Sequence, residues 1–138
     1  MPQLLVGRFV VAHGLITTMI GFGGVARPGA PAMALPAWFG WWPGPFGRSW
    51  LIDALHLGSG VSMAASALWI VAGLALLGAG LGWLGVPALS AASQPLAIGG
   101  AAVGLVALGL FFHPFYLVAV LIDAAIVVLA SGTLLLAR

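Results

Sequence analysis

Nine side chains in this chain can carry charge: Arg8, Arg27, Arg48 and Arg138, Asp53 and Asp123, and His13, His56 and His113. Two of them, His13 and Asp123, fall inside long apolar stretches. An ionisable group in hydrocarbon is costly and marks a candidate site by default. If the stretch from about Leu4 to Val25 spans a membrane as a helix, His13 lies about 14 Å from its start. Asp123 lies about 13 Å beyond Pro114, and that helix enters from the opposite face. In a core about 30 Å thick, both residues arrive near the midplane. Asp123 can then accept from a His13 ring nitrogen, as a hydrogen bond from neutral imidazole or as an ion pair with imidazolium. Thr17 follows His13 by one turn and shares its face. Such a group can glue two helices together, relay a proton, or serve as a polar handle for a small ligand.

The other polar groups gather toward the helix ends. Arg8 is about one turn inside the first helix, where its long stem can snorkel to head groups as an interfacial anchor. Asp53 and His56 are three residues apart and share one helix face. With Arg48 and His113 they are expected to form a polar cluster at one membrane face. Their spacing matches no metal motif, and no metal site is expected there. Axial ligation of a haem by two histidines needs matched depths, and His13 has no such partner. No cofactor can be named from these residues.

Composition fixes the solvent. The 138 residues are 63% hydrophobic and 4% charged, with a mean hydropathy of +1.24. A soluble domain carries about 25% charged residues, so lipid must surround most of this surface. There is no lysine and no basic cluster, which argues against nucleic-acid binding. Cysteine is absent, which excludes disulfides and thiolate chemistry. No catalytic signature is present: no Gly-rich phosphate loop, no zinc-protease helix and no nucleophile elbow.

The elements that must position these residues follow from apolar length and from proline. One domain, residues 1–138, is expected, all-α, as a bundle of four transmembrane helices. The spans run from about 4 to 25, 51 to 84, 96 to 112 and 115 to 137. The first segment, with Arg8 and a Gly24-Val25-Ala26 end, has signal-peptide features but is read as a permanent helix. Residues 26–50 hold five prolines, Pro28, Pro31, Pro36, Pro43 and Pro45, which forbid a regular spanning helix. Trp38, Trp41, Trp42 and Trp50 mark the same segment as an interfacial loop, with aromatic anchors and a short in-plane helix around Ala34–Trp42. Both termini then lie on one side, called A, and the long loop lies on side B. Arg8 and Arg138 sit on side A, Arg27 and Arg48 on side B, so the positive-inside rule leaves orientation open. Small residues spaced four apart, Gly58/Ser62/Ser66, Gly78/Gly82 and Gly100/Gly104, provide faces for close helix packing or self-association.

Several short motifs carry a resemblance. His13-Gly14-Leu15-Ile16 followed by Ile20-Gly21-Phe22, Leu68-Trp69-Ile70-Val71-Ala72-Gly73 in helix 2, and Leu121-Ile122-Asp123 in the last helix resemble a group of small bacterial four-helix membrane proteins. Those proteins carry a His-Gly-Leu-Ile-His stretch before Gly-Phe. The layout is more distantly similar to the DoxX-like family. The resemblance implies a four-helix bundle, and with it the bacterial inner (cell) membrane as location, but no established activity. Thr17 stands where the group has its second histidine, so no role needing two histidines a turn apart is implied. The leading expectation is a non-catalytic accessory or structural subunit, docked to other membrane subunits or to itself through its small-residue faces. The alternatives are a binder or carrier of a quinone or lipid, a proton or ion conduit at His13/Asp123, and a membrane-embedded enzyme.

Overall fold

A computed structural model describes residues 2–26, 37, 40–42 and 46–136. Its elements are α1 (Pro2–Ala26), α2 (Trp50–Ala54), α3 (Ser59–Trp83), α4 (Pro87–Ser90), α5 (Ser93–Leu110), a 3-10 turn (Pro114–Tyr116) and α6 (Leu117–Leu136). Among the described residues there is no strand. Four segments are long and apolar enough to cross a membrane: Leu4–Ala26, Ser59–Trp83, Ser93–Leu110 and Pro114–Gly132. In lipid a backbone must satisfy its own hydrogen bonds, and the helix does so within one segment. The protein is therefore an all-α, four-helix membrane bundle. Trp38 and most of the proposed in-plane helix lie outside the described residues.

The expected second span, 51–84, is two helices rather than one. Ser49 opens α2 as its N-cap, accepting from the Ile52 amide at 3.3 Å. The short helix then closes by crossed hydrogen bonds, His56 N to Asp53 O at 3.1 Å and Leu57 N to Ile52 O at 3.0 Å. This Schellman ending needs a residue in the left-handed region. His56 takes that place with φ 52°, where glycine ordinarily stands. The same device ends α3: Gly85 has φ 96°, with Gly85 N to Gly82 O at 3.1 Å and Val86 N to Leu81 O at 3.1 Å. At Gly85 the missing Cβ makes the turn cheap; at His56 it does not.

The spanning helices pack as an arc. α1 lies on α3, α3 on α5, and α5 on α6, while α1 and α6 share far less packing. A glycine seam sets the first contact. A Cβ at Gly14 would lie 2.7 Å from Leu77 N and 2.8 Å from Gly73 O, and one at Gly80 2.8 Å from Gly7 O. Gly21 meets the backbone of Ile70 equally closely. Gly7, Gly14 and Gly21 recur every seven residues, as do Gly73 and Gly80, so the small faces stay aligned along both helices. With no hydrophobic drive between helices in lipid, this close van der Waals fit holds them together. Of the small-residue ladders, Gly100 packs on α3 and Gly82 on Leu89 and Ser93, whereas Gly58 faces open space.

Two buried clusters fill the arc. Toward side A, Val10, Leu76, Ala79, Ala97 and Ala101 pack with Trp83 and Ile126. Toward side B, Trp69, Phe111 and Tyr116 pack with Ile52 and Leu108. The C-terminal carbonyls of α5 are closed from the loop: Ser49 Oγ donates to Leu110 O at 2.6 Å and Trp50 Nε1 to Gly109 O at 2.8 Å.

Gly14→Ala drives a methyl into the α3 backbone and is expected to destabilise the protein by about 1–3 kcal/mol. Gly99→Ala, where a Cβ meets nothing within 4 Å, is expected to be neutral or slightly stabilising. Thermal unfolding of both variants in one detergent checks the pair.

Candidate functional site

His13 is carried by α1 and Asp123 by α6, and they meet across the helices' open flank. His13 Nε2 lies 2.9 Å from Asp123 Oδ1. The side chains are 11% and 3% exposed. Four local features surround them. Thr17 Oγ1 donates to His13 O at 2.8 Å, so this hydroxyl is absorbed by its own helix. Thr18 does the same to Gly14 O at 2.8 Å, beside Gly73 in the seam. Gly104 of α5 makes room for the carboxylate, because a Cβ there would run into Asp123 Oδ2. Phe9, one turn toward side A, stacks parallel to the His13 ring at 6.4 Å between centroids.

Charge at this depth is governed by number. α3 and α5 contribute no charged or titratable side chain, α6 contributes only Asp123, and α1 adds only Arg8, which is exposed. A pair sharing one proton is uncharged overall, whether as imidazolium and carboxylate or as imidazole and carboxylic acid. Either form avoids leaving a lone charge in hydrocarbon.

The space next to this pair is a cleft of about 870 Å³. It opens toward side A between α1 and α6. Leu5, Val6, Phe9 and Val10 form one wall, and Ile122, Ala125, Ile126 and Leu129 form the other. Trp83, Ser90, Ser93 and Gln94 line its outer end. Gln94 Nε2 donates to Ala130 O at 2.7 Å and ties α5 to α6 there. The cleft lies where α1, packed on α3, and α6, packed on α5, stand apart from each other. His13, Thr17 and Asp123 do not line it; Phe9 and Ile122 stand between.

The expected four-residue cluster at side B does not form. Arg48 Nη2 pairs with Asp53 Oδ1 at 2.8 Å, but both side chains are more than one third exposed. His56 is exposed, because α2 ends just before it and turns its side chain away. His113 is buried and faces aromatics instead: Phe46 meets its ring edge-on at 5.3 Å. Its Nδ1 accepts from the Phe115 amide at 3.1 Å and caps the turn into α6. Among the described residues no three metal-ligating side chains gather.

The aromatic anchors differ in use. Trp41 is exposed, whereas Trp42 packs edge-on against Phe112 at 5.1 Å and Trp50 clips the end of α5. The heptad-spaced glycines were the signal in the sequence for the α1–α3 crossing, which the four-residue ladders do not describe. Comparison with family models, curated proteins and solved structures returns no match.

In a double-mutant cycle, His13→Ala and Asp123→Ala are expected to show a coupling of about 1 kcal/mol, read from thermal unfolding of the four proteins in a common detergent. Burial pushes the His113 imidazole below its usual range, and its cap needs Nδ1 unprotonated. Its contribution is thus complete above the ordinary histidine value of about 6.5 and is lost as pH falls below it. Hydrogen exchange at Phe115, corrected for the intrinsic rate, is expected to quicken from pH 7 to pH 5. His113→Asn, which can still cap, is expected to flatten that dependence.

Proposed function

We propose that this integral membrane protein is a non-catalytic binder of an apolar-chain small molecule, of the lipid or quinone class, held in the side-A cleft between α1 and α6. The observation that carries the reading is the cleft itself. Its volume of about 870 Å³ falls in the range of small-molecule sites, about 300–1,000 Å³. It has two apolar walls and a polar outer end, the profile of an amphiphile. A groove facing hydrocarbon is filled in a membrane, and this one is shaped by packed helices rather than by a loop. The His13–Asp123 pair supports the reading as a clasp. It ties the two walls together beyond the inner end of the cleft, which Phe9 and Ile122 close.

An accessory-subunit role places a partner's helix against the same face, and no observation favours it over a small molecule. Among the described residues, catalysis has no second polar group near the pair to work with, since the Thr17 hydroxyl is bonded to its own helix.

The protein extracted into native lipid discs and examined by native mass spectrometry is expected to carry an apolar molecule. Ala125→Phe, which places a ring in the cleft from an exposed position, is expected to lose at least nine tenths of it with little change in unfolding temperature. Recovery of a stoichiometric protein partner, with no small molecule retained, would sink the proposal in favour of the subunit role.

A further inference from the structure

The inner end of the cleft is built as a stop. On α1 the wall residues Leu5 and Phe9 are four apart, and His13 follows at the same spacing, so all three share one face. On α6 the wall ends at Ile122, and the next residue is Asp123. Each wall therefore runs into a member of the polar pair. The 2.9 Å contact of His13 Nε2 with Asp123 Oδ1 bars the gap between the helices. Phe9 stands directly before that bar. Its ring stacks on the His13 imidazole, with centroids 6.4 Å and planes 4° apart. The imidazole is held in turn, because Oδ2 of the same carboxylate lies against Gly104, where no Cβ intrudes. The pair thus braces Phe9 from behind, and the ring has no room to swing toward the midplane.

A groove with a fixed end measures what lies in it. From Ala130 at the outer end to Ile122 at the stop is about 12 Å along α6 at helical rise. At about 1.2 Å per bond of an extended chain, ten carbons span that length. A longer chain must turn out between α1 and α6 into the bilayer and gives up wall contacts at the bend. A shorter one leaves the space before Phe9 without the close contacts that favour a guest in an apolar solvent. Resting on the cleft reading above, we propose that Phe9, braced by His13, sets the chain length of the occupant, an amphiphile with a tail of about ten carbons. His13 is here a positioning residue, since it touches Phe9 and does not line the cleft. The stop acts on the far end of the tail, so it is indifferent to the head group.

The test uses the full chain in phosphatidylcholine nanodiscs holding an equimolar mixture of 1-monoacylglycerols with tails of eight, ten, twelve, fourteen and sixteen carbons. One head group is common to all, so the mixture retained in native mass spectrometry reports the tail alone. The parent is expected to retain the ten-carbon tail at least three-fold over the sixteen-carbon one, relative to their shares of the disc. Phe9 is half exposed, so the fold tolerates its truncation. Phe9→Ala opens the path by one turn, about 5 Å, up to the imidazole. It is expected to raise the ratio of fourteen-carbon to ten-carbon tail at least five-fold over the parent, and Phe9→Leu to raise it less. His13→Ala, which keeps Phe9 and removes its backing, is expected to broaden the profile toward longer tails. Leu5→Ala, nearer the mouth on the same wall, is expected to lower retention of every tail alike. A parent profile that follows the composition of the disc, or an unchanged profile in Phe9→Ala or His13→Ala, overturns the ruler. The cleft reading then stands if Ala125→Phe still empties the protein. Equal retention by Ala125→Phe and the parent overturns both.

Discussion

The structure depends on how closely α1 can approach α3. Gly7, Gly14 and Gly21 on one helix and Gly73 and Gly80 on the other bring backbone against backbone, a distance no side chain would permit. In a lipid-like solvent, that contact is among the few forces available to choose one helix arrangement over another. α1 packs on α3 and α6 packs on α5, and α1 and α6 share no comparable packing. The bundle becomes an arc with one open flank, and that flank is the cleft.

The open flank explains why the polar pair is where it is. Two helices that do not pack leave room for side chains to reach each other. His13 and Asp123 span the gap, with Gly104 cleared behind the carboxylate. On side B the interior is filled by Trp69, Tyr116 and Phe111, with Trp69 in ring contact with each of the other two. The molecule is thus solid on one side of the pair and open on the other. His113 and Ser49 belong to the solid half. One caps the turn into α6 and the other closes the end of α5, so both serve the scaffold rather than a site.

Much of the fold was legible because hydrocarbon imposes simple rules. Apolar length gave the spanning segments, and Pro114 gave the break before the last one. Counting depth from opposite faces brought His13 and Asp123 to one level, and the structure holds them in contact. Other features were hidden for physical reasons. A helix in lipid is apolar all round, so no polar stripe tells which face looks inward; nothing in the pattern separated α1 on α3 from α1 on α6. His56 ends α2 in a conformation that sequence associates with glycine, which is why 51–84 reads as a single span and why Asp53 and His56 seem to share a face. His113 was counted with the polar residues by type. Its place among aromatics depends on Phe46, a residue 67 positions away.

The weak attachment of α6 bears on how the chain is built. This helix leans mainly on α5 and has the smallest buried share of the four spans. It also carries the acid, and its partner His13 lies 110 residues earlier in the chain. During synthesis, α6 is the last of the four to leave the ribosome. A carboxyl at the centre of a spanning segment disfavours insertion by roughly 2.5–3.5 kcal/mol, and among the described residues of α6 none pairs with it. The surrounding leucine, isoleucine and valine must therefore carry the segment into the membrane unaided. Only afterwards does docking bring Asp123 to His13. The last of these four spans thus docks by a lateral search in the bilayer, as a helix already inserted, for an imidazole carried by the first.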